Sequence, residues 1–501
     1  MEREMEKHPA KMCSSKYETI FGRSFSKHEQ KKMGCGAVVA SLIIAFTLCT
    51  VFKPYLAPLP PLLNLKLSVC AGLKMLMTEE ISSPRPLLDV ETRQIVKPIC
   101  NTSEARSDVC EMRGDIRIQG NSTTILVALG SNLNAIKTLT NTNSIGSSWP
   151  GTWRIRPYAR KTDLTAMGSV REFTVQMVTD QFGELPICTH NHSVPGILFS
   201  TSGYVGNYFH EFTDILIPLY LTSHKFGGQV EFLVTNKRTC WINKYKELLG
   251  KLSKFEIIDI DRYQVSHVHC FPRMVVGLRK HKELTIDPSR SPYHYSMANF
   301  REFLREVYSL KREKAIKLQM MTMNGATPKS RKPPRLLIIS RKRTRSFMNE
   351  DEIVKMARSL GFQVVMTEAN SHVAKFAELV NSCDVIMGVH GAGLTNMIFL
   401  PENAVVVQIL PLGAMEWLAR TYFGEPAKDM NLRYLEYKIE LEESSLAQEY
   451  PPDHPIFRDP ISINKQGWLA YRAIYLEKQN VKLKVDRFRA TLLQALELLH
   501  Y

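Results

Sequence analysis

The segment from residue 335 to residue 410 constrains the fold most strongly, because short apolar runs alternate there with amphipathic stretches of helical spacing. Charge occurs in these runs only at the first residue of two of them, Arg335 and Asp384, and such nearly continuous apolar runs are typical of strands covered by helices on both faces of a sheet. Strands that alternate with helices imply parallel pairing through helical crossovers. The segment therefore predicts a doubly wound parallel sheet with strands at 335–340, 362–367, 384–389 and 404–410.

The helices between these strands have recognisable ends. Asn349 and Glu352 have the spacing of a capping box, and Gly361 follows the last apolar position of that helix. A second helix is predicted from Ser371, and a short third helix is predicted over residues 393–400.

The region before residue 323 shows the same alternation less clearly. Strands are predicted at 196–202, 230–236 and 255–260, with helices at 207–223 and 243–252. A long amphipathic helix from about Asn299 to Leu318 is followed by the stretch 323–334, where Gly, Pro, Lys and Arg replace apolar periodicity. Because 501 residues are too many for one ordinary core, the chain is predicted to be an α/β protein with two such domains facing a cleft.

The N-terminal part is different in character. Residues 34–52 contain no charge and would span about 28 Å as a helix, close to the thickness of a bilayer core. Positive residues are concentrated before this segment, so residues 1–33 are predicted to be cytosolic and the remainder lumenal. The alternative is a buried core helix. The predicted parts are a tail (1–33), a transmembrane signal anchor (34–52), a proline-rich stem (53–95), an N-terminal domain (96–322), a linker (323–334), a second domain (335–480) and a final helix packing back on the first domain (481–501).

Charge and cysteines limit the partners. The formal net charge of +16 favours anionic partners, and a lumenal location argues against nucleic acid among them. Cys100 and Cys110 are the closest pair for a disulfide in an oxidising lumen, with Cys70 the expected odd residue, and no cysteines have zinc-ligand spacing. Three Asn-X-Ser/Thr acceptors, Asn101, Asn121 and Asn191, follow the anchor.

The strand that ends at Val389 leads through His390, Gly391, Ala392 and Gly393 into a helix that contains Asn396. A helix N-terminus preceded by small residues suits phosphate oxygens, because its free N–H groups and dipole favour negative charge. In open α/β sheets ligands bind beyond the carboxyl ends of the strands, where His390 would lie. The alternative is a tight turn in which the histidine is a local hydrogen-bond partner.

A basic loop follows the first strand of the same domain and should lie at the same edge of the sheet. Its cations could hold a diphosphate through charge-assisted hydrogen bonds, although basic loops are more often solvated. The two loops together favour a nucleotide-diphosphate site. The basic side chains are Arg341, Lys342, Arg343 and Arg345.

His210 and Asp214 are four residues apart on the predicted helix 207–223 and therefore lie on one face. An imidazole held by a carboxylate can act as a general base near neutral pH. A helix-capping histidine with a structural aspartate is the alternative. Glu211 is predicted to be solvated. A separate Asp-X-Asp pair, Asp259 and Asp261, matches a weak metal-site pattern, and metal binding there is not favoured.

The stretches around these residues resemble glycosyltransferase family 61, especially the grass enzymes that decorate xylan in the Golgi. The similarity covers about residues 96–495 and rests on PICNTSEARSDVCEMRGDIRI, GNYFHEFTDILIPLYLT, ISRKRTRSFMNEDEI and GVHGAGLTNMIFLP. It implies a GT-B architecture of two Rossmann-like domains and an inverting reaction that needs no obligatory metal or other cofactor. By the resemblance, Arg341, Arg345 and the turn 390–393 would bind the diphosphate, and His210 and Asp214 would face the acceptor. It does not decide which of these two is the base.

The implied activity is transfer of a pentose from UDP-arabinofuranose (α-1,3) or UDP-xylose (β-1,2) to xylan, by a single-pass type II enzyme of the Golgi membrane that could work beside other xylan synthases. The sequence does not separate the two donors, and arabinofuranosyl transfer is slightly favoured. The alternatives are an activity like that of the N-glycan core β-1,2-xylosyltransferase, a glycan-binding scaffold without catalysis, and a metal-dependent GT-A enzyme using Asp259 and Asp261.

Overall fold

The computed structural model describes residues 99–129, 151–179, 185–318, 332–369 and 372–500. These residues belong to one compact unit and contain two separate β-sheets. The predicted tail, anchor and stem (1–95) and most of the predicted linker (323–334) lie outside the described residues. Among the helices in the described ranges, none has both the length and the apolar character needed to cross a bilayer.

The first sheet is mixed and has ten strands, in the order β4-β5-β3-β2-β10-β7-β8-β9, with β1 beside β2 and β6 beside β10. The part formed by β10, β7, β8 and β9 is parallel throughout, and there the central strands are buried apolar runs. The strands are β1 (Ile99–Asn101), β2 (Val109–Gln119), β3 (Thr124–Leu129), β4 (Thr152–Ile155), β5 (Phe173–Thr179), β6 (His190–Asn191), β7 (Gly196–Ser200), β8 (Glu231–Thr235), β9 (Ile258–Asp259) and β10 (Val268–Val276).

The parallel part is Rossmann-like, as the sequence predicts, but the region between β1 and β5 adds an extension that the sequence analysis did not predict. The long strand β2 joins that extension to the parallel part by antiparallel pairing with β10. The helical segments of this half are α1 (Leu164–Met167), α2 (Tyr208–His210), a π-helical turn (Glu211–Leu216), α3 (Ile217–Ser223), 3-10 turns (His224–Phe226 and Pro288–Arg290), α4 (Thr239–Lys244), α5 (Lys246–Leu252) and α6 (Met297–Tyr308).

The second sheet has five parallel strands in the order β12-β11-β13-β14-β15. The sheet is parallel and doubly wound, as the apolar runs predict, and each of the four predicted strands agrees with the structure to within one residue at either end; β15 was not predicted. The strands are β11 (Arg335–Ser340), β12 (Gln363–Glu368), β13 (Val385–Val389), β14 (Val405–Leu410) and β15 (Arg433–Lys438).

Helices cover both faces of this sheet. They are α7 (Glu350–Ser359), α8 (Val373–Asn381), a 3-10 helix (Ala392–Phe399), α9 (Glu416–Ala419), a π-helical turn (Arg420–Gly424), α10 (Glu425–Asp429), 3-10 turns (Leu441–Glu443 and Ser445–Gln448), α11 (Pro455–Arg458), α12 (Pro460–Lys465), α13 (Trp468–Tyr471), a π-helical turn (Arg472–Lys478) and α14 (Val485–Leu498).

Three expectations about helices were wrong. The amphipathic helix predicted to reach Leu318 ends at Tyr308, where Ser309 has φ of 52° and leaves the helical conformation. The predicted capping box is absent because Asn349 donates to Glu352 and to the Leu483 carbonyl, while its oxygen accepts from the Leu483 N–H.

The third concerns the final helix, α14, which was expected to pack on the first domain. Its apolar residues Phe488, Leu492 and Ala495 instead join the core of the second sheet, together with Leu336 and Val405. This face of the five-stranded sheet would otherwise be exposed, so α14 completes its own domain.

The predicted disulfide Cys100–Cys110 is present, and a second disulfide joins Cys188 to Cys270. Cys240 is also disulfide-bonded. The buried residue Cys383 carries a free thiol. Cys70, the expected odd cysteine, lies outside the described residues.

The two sheets are connected by contacts that fix the edge where the site lies. Arg301 on α6 is 2% exposed and donates to the carbonyls of Ile398, Leu400 and Met430 in the other half. Burial lowers the pKa of Arg301 to about 10, and the three carbonyls replace water around its guanidinium. Apolar contact continues this interface through Phe212 and Phe399, whose ring centroids are 6.0 Å apart.

Candidate functional site

The strand order of the second sheet locates a binding crevice. The chain passes from β11 to β12 on one side and then returns to β13 on the other side of β11, so the winding direction reverses between β11 and β13. Ligands of doubly wound sheets bind beyond the carboxyl ends of the strands at such a switch point. The loop after β11 carries Arg341 and Arg345, and the turn after β13 carries His390 and Gly391, so both predicted loops flank this position.

The structure brings Arg341 and Arg345 together over the Gly391 turn. A Cβ placed on Gly391 would lie 2.8 Å from Nη1 of Arg345 and 3.1 Å from Nη1 of Arg341. Gly391 also has φ of 150°, a value that disfavours residues with a side chain. Arg345 donates through Nη1 to the His390 carbonyl at 2.6 Å, and Arg341 donates to the Thr344 carbonyl at 2.8 Å. A glycine is therefore required for both guanidinium groups to approach the turn.

No carboxylate in the described part of the chain forms an ion pair with either guanidinium. Glu368 and Glu477 are the carboxylates that act electrostatically on Arg341 and Arg345. They form ion pairs with Lys342 and Arg472 instead. Burial lowers the pKa of Arg345 to about 9, with Arg341 adding repulsion, and burial also lowers the pKa of Arg341. Two neighbouring half-buried like charges without a counter-charge are unfavourable, and a bound anion would offset that repulsion.

The first backbone N–H groups of the following 3-10 helix add to this positive end. The helix begins at Ala392, and Gly391 provides no side chain to cap it. Its first turn leaves N–H groups without intrahelical partners, as at any helix N-terminus. Gly393 lies against β11, where an added Cβ would be 3.0 Å from Ile339. The turn therefore has the composition and position of an anion site.

His390 is 7% exposed and neutral at ordinary pH, because burial, then Arg345 and Arg341, lower its pKa to about 3. Its Nδ1 lies 2.6 Å from Nε2 of Gln408 on β14.

Two other residues predicted to bind the nucleotide are placed differently. Asn396 is 2% exposed and donates to the Gly393 carbonyl at 2.8 Å, so it supports the turn from beneath. Arg343 is exposed on the same loop.

On the opposite sheet, His210 and Asp214 form the predicted pair, with Nδ1 of His210 2.9 Å from Oδ2 of Asp214. Asn207 caps α2 by accepting from the Phe209 N–H, so the helix starts at the carboxyl end of β7 and its first turn faces the crevice. The π-helical turn that follows contains Asp214, and such turns are frequent at functional sites.

Asp214 is completely buried and surrounded by donors. Its Oδ1 accepts from Lys280 at 2.7 Å and from Arg160 at 3.0 Å, and its Oδ2 also accepts from the Tyr158 hydroxyl at 3.0 Å. Burial alone would raise the pKa of Asp214, but Lys280 and then Arg160 outweigh it and hold that pKa well below its ordinary value. Asp214 is therefore a permanent carboxylate that cannot serve as the base.

Glu283 completes this cluster. It is buried, accepts from Thr213 at 2.9 Å and from Lys280 at 3.2 Å, and pairs with Arg106 at 3.2 Å. Burial favours its neutral form, but Lys280 and Arg160 together lower the pKa of Glu283. Two carboxylates thus face Lys280, Arg160 and the partly exposed Arg106, and the cluster is close to charge balance.

His210 has the properties of a general base. Because the Asp214 carboxylate can only accept, Nδ1 of His210 carries the proton and Nε2 has a free lone pair. Among the described residues, no group lies at hydrogen-bond distance from Nε2, and the side chain is 15% exposed. Burial lowers the pKa of His210 against the opposing influence of Asp214, so the ring is neutral at pH 7. The geometry therefore favours His210 over Asp214 as the base.

Glu211 was predicted to be solvated, and that prediction was wrong. It is 2% exposed and accepts from the Tyr245 hydroxyl at 2.6 Å, from Lys244 at 2.5 Å and from the Gly206 N–H at 3.1 Å. It fixes the turn before α2 to α4 and α5, and so holds the start of the His210 helix in place.

The Asp-X-Asp pair has structural partners. Asp261 accepts from Arg171 at 2.6 Å and from the Asn236 N–H at 2.6 Å, while Asp259 pairs with Arg262 at 3.3 Å. These contacts fasten the loops after β8 and β9.

The two sides of the crevice meet through aromatic rings. Phe423, in the π-helical turn after β14, lies 5.6 Å from the ring of His390 and 5.7 Å from Phe209. Phe209 in turn contacts the ring of His210 at 5.4 Å. A series of ring contacts therefore connects His210 on the first sheet to the positive turn on the second.

Sequence reasoning missed most of the residues that support His210. The distant ones lie about 50 residues or more from His210 along the chain and in no recognisable local pattern; they are Tyr158, Arg160, Lys280, Glu283 and Tyr422. Tyr204 was missed as well, although it lies only a few residues before His210 and its tilted ring is 4.6 Å from that of His210.

Comparison with known proteins identifies relatives. A family model described as Glycosyltransferase 61 matches residues 208–407, from the His210 helix to β14. An alpha-1,3-arabinosyltransferase of Oryza sativa subsp. japonica is 46% identical over 80% of this chain and 65% of its own length. A beta-1,2-xylosyltransferase of the same plant is 45% identical over 80% of this chain and 84% of its own length.

A xylan glycosyltransferase of Arabidopsis thaliana is 36% identical, over 89% of this chain and 88% of its own length. The match thus covers slightly less than two thirds of the first arabinosyltransferase and most of the other two proteins. Among solved structures, the dodecameric iron-containing heptosyltransferase TibC is 12% identical over 54% of this chain and 70% of its own, with a TM-score of 0.23. A score that low carries no argument about this fold.

Proposed function

The chain belongs to the glycosyltransferase 61 family, and on that premise we propose that it transfers a pentose from a UDP-sugar to xylan with inversion at the anomeric carbon. The donor is UDP-arabinofuranose, giving an α-1,3 linkage, or UDP-xylose, giving a β-1,2 linkage. Both activities occur in the names of relatives at 46% and 45% identity, so similarity alone does not choose between them. The xylan acceptor follows the Arabidopsis relative.

One observation carries the proposal: two half-buried guanidinium groups have no carboxylate partner among the described residues, and on the other sheet a neutral histidine has a lone pair without a hydrogen-bond partner. Arg341, Arg345 and the N–H groups after Gly391 would hold the diphosphate. His210 would take the proton of an acceptor hydroxyl through Nε2, while the hydroxyl oxygen bonds to the anomeric carbon. The bond from that carbon to the diphosphate oxygen breaks, and its electron pair leaves with UDP.

The charges of the two sides suit these roles. Positive charge fixed near the departing diphosphate stabilises the charge that develops in the transition state, a role that a metal ion fills in other transferases. Asp214 holds the imidazole in orientation and stabilises the imidazolium that forms. The proposed architecture is GT-B, with the nucleotide sugar on the second sheet and the acceptor on the first, and no metal is required.

The proposed location is the Golgi membrane, with residues 34–52 as a signal anchor and the two sheets in the lumen. Asn101, Asn121 and Asn191 are all exposed, which suits lumenal glycosylation. Other xylan synthases are proposed neighbours in the membrane.

A product analysis tests the proposal. The full chain in detergent is incubated with xylan and, separately, UDP-arabinofuranose, UDP-xylose or UDP-GlcNAc, with and without a chelator. We expect a pentosylated xylan in the chelated reaction and its loss in His210→Ala. An N-glycan acceptor tests the core β-1,2-xylosyltransferase alternative. Tight xylan binding without transfer from any donor would instead support a non-catalytic scaffold, and loss on chelation would contradict the metal-independent mechanism.

A further inference from the structure

Three polar side chains form a chain of contacts behind His390. Gln408 on β14 is completely buried, with Nε2 2.6 Å from Nδ1 of His390. The Tyr434 hydroxyl on β15 lies 2.6 Å from Oε1 of Gln408 and 3.0 Å from Oε1 of Glu436. The chain thus crosses the three adjacent strands β13, β14 and β15 and ends at the crevice.

If Nε2 of the Gln408 amide faces His390, there are too few protons to make every contact a hydrogen bond. The Tyr434 hydroxyl then faces two acceptor oxygens, on Gln408 and Glu436, and has one proton to donate. One of the two short oxygen–oxygen contacts would be left without a hydrogen. An unsatisfied contact of this kind is costly at a buried position.

Turning the Gln408 amide by half a rotation satisfies every contact. Tyr434 then donates to Glu436 and accepts from the Gln408 amide, and the Gln408 oxygen accepts from Nδ1–H of His390. A carboxylate can only accept, so Glu436 fixes which atom donates and which accepts in each hydrogen bond between it and His390. Networks of this kind are stable when every member is paired.

We propose that Glu436, Tyr434 and Gln408 are positioning residues that hold His390 in the tautomer with Nδ1 protonated, so that its Nε2 accepts a hydroxyl of the sugar nucleotide. This inference rests on the proposed function and deepens it. Nε2 has no hydrogen-bond partner within the described ranges, and burial, with Arg345 and Arg341, lowers the pKa of His390 and keeps the ring from taking a second proton. A bare lone pair repels phosphate oxygens, so the ring binds a hydroxyl and leaves the diphosphate to the arginines.

The tautomer can be measured without any ligand. In protein labelled with 15N-histidine, the His390 signals are assigned by their loss in His390→Asn. We expect a protonated Nδ1 and an unprotonated Nε2 in the wild-type protein. The reverse pattern, with the proton on Nε2, would overturn the proposal.

Variants then test whether the chain sets that tautomer. Tyr434→Phe and Glu436→Gln release the Gln408 amide, and both should mix or reverse the His390 tautomer. Tyr437→Phe is the matched control. Tyr437 lies on the same strand as Tyr434 but donates to Glu443 at 2.6 Å, and this hydrogen bond is not part of the series that leads to His390. Unfolding temperatures identify any variant that is merely unstable. An unchanged tautomer in folded Tyr434→Phe would contradict the proposal.

Affinities identify the hydroxyl. Binding of UDP, 2′-deoxy-UDP and UDP-xylose is measured by calorimetry for the wild type and Tyr434→Phe. Loss of one hydrogen bond should weaken UDP-xylose by about tenfold. If UDP is unaffected, the hydroxyl belongs to the sugar; if UDP weakens and 2′-deoxy-UDP does not, it belongs to the ribose. If Tyr434→Phe binds each of the three ligands as tightly as the wild type does, the acceptor role of Nε2 is refuted. Failure of the wild type to bind any of the three ligands would refute the proposed function. The 15N measurement of the His390 tautomer would still test whether Glu436, Tyr434 and Gln408 position that ring.

Discussion

The two sides of the crevice differ in how their charges are compensated. Around Asp214, two buried carboxylates meet Lys280, Arg160 and Arg106 at hydrogen-bond or ion-pair distance. Around Gly391, two half-buried guanidinium groups donate to carbonyl oxygens and lie beside the same turn. The first cluster is complete within the protein, whereas the second is complete only with an anion.

This difference separates stability from binding. Residues in a compensated cluster should matter to the fold even without ligand, since removing one leaves buried charges unpaired. Residues in an uncompensated cluster should matter to the ligand and little to the free protein. The following predictions test this separation, in order of decreasing effect.

Asp214→Ala should have the largest effect. It leaves Lys280 and Arg160 without their shared carboxylate, and we expect the free energy of unfolding to fall by about 3–5 kcal/mol. Denaturant unfolding of the full chain measures this. Asp115→Ala is the control, because Asp115 is a 43% exposed partner of Arg117 and its loss should cost less than about 1 kcal/mol. Similar losses in both variants would mean that the cluster is not compensated as described.

Arg345→Met should show the opposite pattern. The free protein should unfold at nearly the wild-type temperature, because the substitution removes a half-buried charge that is disfavoured by desolvation and by repulsion from Arg341. Its affinity for UDP should fall about 10- to 100-fold, the value of a charged hydrogen bond. Lys342→Met is the matched control on the same loop, where the side chain is 82% exposed. Equal effects of the two substitutions on UDP binding, measured by calorimetry, would be incompatible with the account.

Gly391→Ala should weaken UDP binding by about tenfold through geometry alone. The new Cβ would lie 2.8 Å from Nη1 of Arg345, so the guanidinium must move away from the turn. Gly250→Ala is the control, because a Cβ at that position in α5 meets nothing within 4 Å. That substitution should raise the free energy of unfolding by about 0.5–1 kcal/mol without changing UDP affinity. A Gly391→Ala protein with wild-type affinity would show that the arginines do not need the turn.

The pH dependence should be the smallest effect near neutrality. His210 must be neutral to accept a proton, so kcat/KM should fall on acidification through a pKa below 6.5, in the direction set by burial. The pKa values of Asp214 and Glu283 are lowered from their ordinary values of 3.8 and 4.5. Both carboxylates therefore stay charged at every pH above those values, and their contribution to stability is constant over the pH range of the activity measurement. A pH–rate profile with an acid limb above pH 6.5, in a protein that still binds UDP, would contradict the role of His210.

Four strands of the second sheet could be predicted closely from the sequence, and the central ones among them are buried along almost their whole length. Runs such as residues 335–340 and 404–410 are mostly apolar, and helices with clear ends separate them. The edge strand β15, which is only partly buried, was not predicted. The first sheet was harder, since β2 mixes buried, half-buried and exposed residues and pairs with β10 about 150 residues away. No local pattern in the sequence indicates such a partner.

The same distinction applies to the site. His210 with Asp214, and the Arg341 loop with the His390 turn, lie on single elements and could be found by spacing. Lys280, Glu283 and Gln408 act through contacts that only the folded chain creates. Glu211 was misjudged for this reason, because its partners Lys244 and Tyr245 lie on a separate part of the chain.

The structure of the protein with UDP bound tests the central claim most directly. The account predicts diphosphate oxygens within hydrogen-bond distance of Arg341, Arg345 and the N–H groups that follow Gly391, with His210 across the crevice. UDP bound away from this turn, with both guanidinium groups unchanged and unoccupied, would contradict it.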